Sequence, residues 1–169
     1  MYMPNIIKIS NSIFPSLLAN VWTLMSGNFV YMTANNAPSP FVATTSHTPT
    51  SGSAFNAFDN SSLSAVTFNY GDGGVFWAKM MWTTPIRIIQ LMARVHRSGQ
   101  ENTLFRIYGI KADTNEVLIY SGTHTSDTDT TVNSTDSTSE FVGVKLEIER
   151  RIDLIVSIKN LRILQWYSK

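Results

Sequence analysis

Residues 141–149 read Phe-Val-Gly-Val-Lys-Leu-Glu-Ile-Glu, so that Val142, Val144, Leu146 and Ile148 alternate with Gly143, Lys145, Glu147 and Glu149. A period of two collects the apolar side chains on one face only if the backbone is extended, because a helix repeats every 3.6 residues. One face of this strand belongs in a core and the other in water. Further runs rich in β-branched and aromatic residues lie at 75–82, 86–95, 104–110, 117–120, 154–158 and 161–166. Turn signals punctuate them at Gly71-Asp72-Gly73-Gly74, Thr84-Pro85, Ser98-Gly99 and Asp113-Thr114-Asn115. About eight short strands with no helical segment between them predict an all-β fold, an antiparallel β-sandwich or jelly roll.

Length and charge narrow what such a fold does. A chain of 169 residues supplies one sandwich with a real core plus an N-terminal extension, and too little for two ordinary domains. Thirteen basic and twelve acidic side chains leave a formal charge of +1, so no net field recruits a polyanion, and nucleic acid is not an expected partner. The chain has no cysteine, which excludes a disulfide framework, a cysteine-ligated zinc site and a thiol nucleophile. Packing alone has to hold it together.

Two segments depart from the strand pattern. Residues 1–31 carry Ile6, Ile7, Ile9, Ile13, Phe14, Leu17, Leu18, Val21, Trp22, Leu24 and Met25, interrupted by Ser10, Asn11, Ser12, Pro15, Ser16 and Asn20. No apolar run there is long enough to span a bilayer, and no clean apolar centre marks a signal peptide. The segment is still too apolar to float free in water. It is expected to anchor or dock, either on its own sandwich or on another subunit, with the sandwich proper at 32–169. Residues 121–140 are dominated by Ser and Thr, with Asp127, Asp129 and Asp136, and predict a long exposed loop or extended hairpin. The spacing of Asp127, Asp129 and Thr131 is that of a calcium loop, but Val132 stands where the sharp turn needs glycine and Thr138 where a bidentate glutamate is needed, so the motif fails.

Catalytic chemistry has little to build on. His47, His96 and His124 lie in or beside predicted loops without zinc-ligand spacing, and there is no nucleophile elbow, phosphate loop or dinucleotide fingerprint. The acids sit on polar strand faces or in the Ser/Thr-rich stretch, where nothing raises one of them into a general acid. The reading is of a protein that is not an enzyme, with no metal and no cofactor.

Several segments taken in order resemble the discoidin, or coagulation-factor C-type, domain, a galactose-binding-like jelly roll. They are Met32-Thr-Ala-Asn-Asn-Ala-Pro-Ser-Pro40, Ser51-Gly-Ser-Ala-Phe-Asn-Ala-Phe-Asp-Asn60, Trp77 with Pro85-Ile-Arg-Ile88, Leu104-Phe-Arg-Ile-Tyr-Gly-Ile110 and the closing strand at 156–167. The opening is similar to versions of the module in tail and fibre proteins of tailed bacteriophages. The resemblance implies that Ala57-Phe58-Asp59-Asn60 forms a structural turn, in which Asp59 accepts backbone hydrogen bonds and Asn60 takes the left-handed conformation. A glutamate that ligates calcium in several relatives falls at about Asn160, so a site built from Asp59, Asn60 and Asn160 carries less charge and binds calcium weakly at best. Sugar recognition is implied on loops at one end of the sandwich, with His47, Tyr70, Asp72, His96, Arg97 and Asn102 as the glycan-binding candidates. The implied function is a structural or receptor-binding component of a tailed-phage virion, made in the host cytoplasm and held by its N-terminal segment to other virion proteins or to copies of itself. The alternative is a free-standing bacterial carbohydrate-binding module.

Overall fold

The structure, a computed structural model, describes residues 21–61, 63–69, 75–97, 102–125, 127–149 and 155–169, with the backbone alone at 97, 102 and 103. The described residues form nine strands: β1 (Thr23–Ser26), β2 (Val42–Thr45), β3 (Val66–Phe68), β4 (Phe76–Arg97), β5 (Asn102–Ile110), β6 (Glu116–Thr125), β7 (Thr130–Asn133), β8 (Phe141–Ile148) and β9 (Val156–Ser168). A single 3-10 turn, Ala54–Ala57, precedes β3. Among the described residues these strands pair antiparallel throughout. None of the described residues forms a helix long and apolar enough to cross a membrane.

The 22 residues of β4 organise both layers. Its first half pairs with β2 and β8, extending through β5 to β6, while its second half pairs with β9 and β7. β1 and β3 lie along β9 at its two ends. Ile86 is the hinge of this arrangement, facing Phe141 of β8 and Ser168 of β9. Thr84-Pro85, expected to be a turn, is the corner at which β4 passes from one layer to the other. Proline costs no ladder bond there, because no paired register is present between Met81 and Ile86. The expected break between 154–158 and 161–166 is likewise absent. Ile158 faces Val95 and Asn160 faces Arg94, so Lys159 is an extra residue, a bulge within β9.

The core between the layers is built from alternating residues of β4, β5, β8 and β9, among them Phe76, Ile88, Leu91, Phe105, Ile107, Phe141, Leu146, Ile148 and Ile158, all buried. The alternation that marked β8 is realised with Val144, Leu146 and Ile148 inward. β1 and Phe29 also belong to this body: β1 pairs along β9, and the Phe29 ring meets Trp82 and Trp166 edge-on, with centroids 5.1 Å away in each case. The sheet thus takes in residues ahead of position 32, while 1–20 lie outside the described residues.

The Ser/Thr-rich stretch is more ordered in its hydrogen bonding than its composition predicts. β6 reaches Thr125, β7 adds a strand beside β4, and Val132 and His124 are buried. Threonine supplies the β-branched side chains that a strand tolerates, and the ladder to residues 90–93 satisfies the backbone.

Candidate functional site

Strand register gathers five connections at one end of the sandwich. Phe76 at the start of β4 faces Ile148 at the end of β8, which faces Phe105 near the start of β5. Asn102 faces Thr125 at the end of β6, and Arg97 at the end of β4 faces Val156, which also faces Phe68 of β3. The strand ends that flank 46–53, 69–75, 98–101, 126–129 and 149–155 therefore share this end.

The sequence-derived candidates distribute over it unevenly. His47 is half-buried, with its ring 5.3 Å from that of Phe76 in an edge-on arrangement and its Nδ1 2.9 Å from Ser46 Oγ. The Ser46 hydroxyl accepts the Trp77 N–H at 3.1 Å, so this loop is fixed to the start of β4 beside an indole. His96 sits near the end of β4 with Nδ1 2.9 Å from Asp127 Oδ2. Arg97 and Asn102 flank the 98–101 connection by backbone position, and their side chains lie outside the described residues, as do Tyr70 and Asp72 entirely.

Beside these candidates is an ionic cluster that sequence reading missed. Asp127, whose φ is 65°, brings its Oδ1 within 2.5 Å of Lys159 Nζ, while its carbonyl accepts from Arg94 Nε at 2.9 Å and Nη2 at 2.6 Å. Asp129 lies 3.9 Å from Arg94 and 3.7 Å from Arg162. Burial by itself raises the Asp127 pKa, but the hydrogen bond from Lys159 and the charges of His96, Lys159 and Arg94 outweigh it and hold the carboxyl below its ordinary value. The bulge at Lys159 interrupts the regular alternation of β9, next to where its ammonium meets Asp127. No sequence signal connects residues 94, 127 and 159. Only the adjacency of β4, β9 and the β6–β7 connection does.

The structural turn is joined to this cluster through Arg162, which reaches both Asp129 and Asn60. Asp59 Oδ1 accepts the Ser61 N–H at 2.9 Å, and Oδ2 accepts from Ser64 Oγ at 2.6 Å and Asn56 Nδ2 at 3.0 Å. Asn60 has φ 61°, and its side-chain oxygen accepts from Arg162 Nη1. That oxygen, offered as a calcium ligand by the family pattern, is engaged by a guanidinium. Asn160 is buried on β9 opposite Arg94. Among the described residues no group of three His, Asp or Glu side chains is placed to hold a metal ion.

His124, expected in or beside a loop, is buried at the end of β6. Its Nε2 is 2.5 Å from the Thr128 carbonyl, and Thr130 Oγ1 contacts its Nδ1. Its ring also meets Phe105 edge-on at 5.8 Å, so the side chain packs the β6–β7 connection onto the core.

Comparison with solved structures places this architecture in the discoidin-like, galactose-binding fold. The family 32 CBM from Clostridium perfringens NanJ in complex with galactose superposes with a TM-score of 0.57 at 17% identity, covering 76% of this chain and 93% of that one. A CBM32 of Clostridium perfringens in complex with GalNAc-β-1,3-galactose gives 0.59 at 18% identity, covering 73% and 94%. The C-terminal domain of a chitobiase from Bacteroides fragilis gives 0.62 at 14% identity, covering 78% and 97%. No protein-family model and no curated protein matches the chain.

Proposed function

We propose that this chain is a non-enzymatic glycan-binding module whose recognition surface is the loop end of the sandwich. The observation that carries the reading is that strand register brings His47, after β2, and the backbone positions of His96, Arg97 and Asn102, at the facing ends of β4 and β5, to this one end. The same fold is seen in modules solved with galactose and with GalNAc-β-1,3-galactose. A half-buried histidine packed on an aromatic ring is a fixed hydrogen-bonding group, which is what orienting a sugar hydroxyl requires. Two aspartates at this end are spent on neighbouring bases, Asp127 on His96 and Lys159 and Asp129 on Arg94 and Arg162, which positions them without preparing a nucleophile.

The test is a glycan array probed with the full chain, followed by calorimetry on the best ligand with the Arg97→Ala and His47→Ala variants. At least one variant weakens binding by about tenfold, equivalent to about 1.4 kcal/mol, without a matching loss of melting temperature. Retention of no glycan, or unchanged affinity in both variants, refutes the assignment. Release of sugar product during the incubation refutes its non-enzymatic part.

A second reading makes the module a receptor-binding part of a tailed-phage virion, attached through residues 1–31 to other virion proteins or to copies of itself. It is favoured by β1, all four residues of which are exposed, including Leu24 at 54% and Met25 at 41%. Its outer edge pairs with nothing among the described residues. An open apolar edge is suited to strand addition by a neighbour. Charged substitution at Leu24 and Met25 abolishes assembly with particle proteins under this reading and leaves glycan binding intact.

A further inference from the structure

At the pole opposite the loop end, the structure has a half-open cavity of about 320 Å³ walled by Phe29, Phe41, Trp82 and Trp166, with Thr84 and Lys169 among its lining residues. The Phe29 ring stands edge-on to the other three, with centroids 5.5 Å from Phe41 and 5.1 Å from each tryptophan. Such walls give water few partners, and apolar side chains laid against them gain contacts that water does not supply. Trp82 is only 5% exposed, and its Nε1 is buried with no hydrogen-bond acceptor among the described residues. The cleft exposes the ring faces and not this N–H, so the contacts an occupant can supply are apolar ones. A peptide segment with apolar side chains supplies them.

The chain itself arrives at the mouth of this cavity. Thr23 pairs with Ser168, another lining residue, and the Trp22 ring lies 4.9 Å from Lys169 Nζ and 4.1 Å from Arg87 Cζ. Val21, beside it, is 54% exposed. Leu17 and Leu18 precede Trp22 by five and four residues. Four extended residues reach at most about 14 Å. A segment tethered so closely acts at an effective concentration of order millimolar, which a free second copy does not match at ordinary protein concentrations.

We propose that this cavity is a socket for the chain's own Leu17 and Leu18, delivered to it by the short tether to Trp22. The inference stands independently of glycan recognition at the other pole, and it leaves the outer edge of β1 free.

Because the chain has no cysteine, a cross-linking test on the full-length protein is unambiguous. Thr84→Cys is paired in turn with Ser16→Cys and Ala19→Cys, which flank the seated leucines without removing them, and treated with a short bismaleimide. The expected product is a cross-link within one chain, formed faster than with a control cysteine at Thr128→Cys on the opposite pole. Adding Leu17→Asp with Leu18→Asp to the same protein lowers the cross-linking rate by about tenfold if side-chain seating, and not the tether alone, holds the segment in place. Equal rates with and without the aspartates overturn the proposal, as does a rate no higher than the control. A product joining two chains also overturns it, by assigning the socket to a second copy.

Discussion

At Asp59 one carboxylate holds a whole turn, receiving the Ser61 backbone N–H, the Ser64 hydroxyl and the Asn56 amide. Asp59→Ala leaves those donors without their acceptor, at about 1 to 3 kcal/mol for each group that stays buried. Asp129 makes only two long ion pairs on a side chain that is half exposed, the kind of contact worth about 0 to 1 kcal/mol. Urea titrations should therefore place Asp59→Ala clearly below Asp129→Ala in stability, and equal midpoints would show that the turn carries no such weight. Asp136 gives a pH-resolved counterpart. Hydrogen bonds from the Ser139 side chain, and then from the Ser139 and Thr138 backbone and the Thr138 hydroxyl, outweigh its burial and lower its carboxyl to about 2 from the ordinary 3.8. A depressed folded pKa stabilises the native state above the unfolded pKa, and that contribution is lost as pH falls through the folded value. Asp136→Asn should thus be less stable than the parent by about 1 kcal/mol at pH 7, allowing for solvent screening. Chemical denaturation across pH should show the gap closing between about pH 4 and pH 2.

Among the elements, β5 and β8 pack most closely at Gly109, which faces Val144 across the ladder. A Cβ built at Gly109 falls 2.4 Å from two carbons of the Phe141 ring, and Phe141 is fully buried. The whole ring, with the core around it, would have to shift to admit one methyl group. Gly109→Ala should cost about 1 to 3 kcal/mol, measured as a fall in melting temperature with an unchanged β-sheet circular-dichroism spectrum. A variant as stable as the parent would mean that Phe141 has room the structure does not show. On the outer side of the same strands, Lys145 is buried between Glu116 and Glu147, 3.3 Å from the latter, with its ammonium 4.4 Å from the Tyr108 ring centre. Burial lowers the Lys145 pKa, but the two glutamates more than offset it, and the group stays charged beyond the ordinary lysine range. The period-two pattern placed Lys145 on the face opposite the core. It did not show that neighbouring strands would cover it.

For the molecule as a whole, the arrangement of donors argues against calcium as a source of stability. Arg162 already engages the Asn60 oxygen, and Asp59 is committed within its own turn. Millimolar calcium, or its removal with a chelator, should move the melting temperature by less than about 1 °C, because a site weaker than millimolar adds only a few tenths of a kcal/mol. A larger shift would reveal a site among residues outside those described. The sequence by itself determined the fold class, since alternation in β8 and the density of β-branched and aromatic runs are local properties that only an extended chain can satisfy. The resemblance of residues 57–60 to the family's turn also implied a left-handed Asn60, a conformation its φ of 61° shows and that asparagine tolerates. Only the tertiary structure decided that Pro85 turns a strand from one layer to the other, that Thr130–Asn133 becomes a strand, and that Arg94, His96, Asp127 and Lys159 form one cluster. The physical reason is the same each time. A proline, a polar strand or a buried charge is tolerated only where distant segments leave no bond to lose or bring the partner it needs, and those partners are fixed by sheet register across dozens of residues rather than by neighbours in the chain.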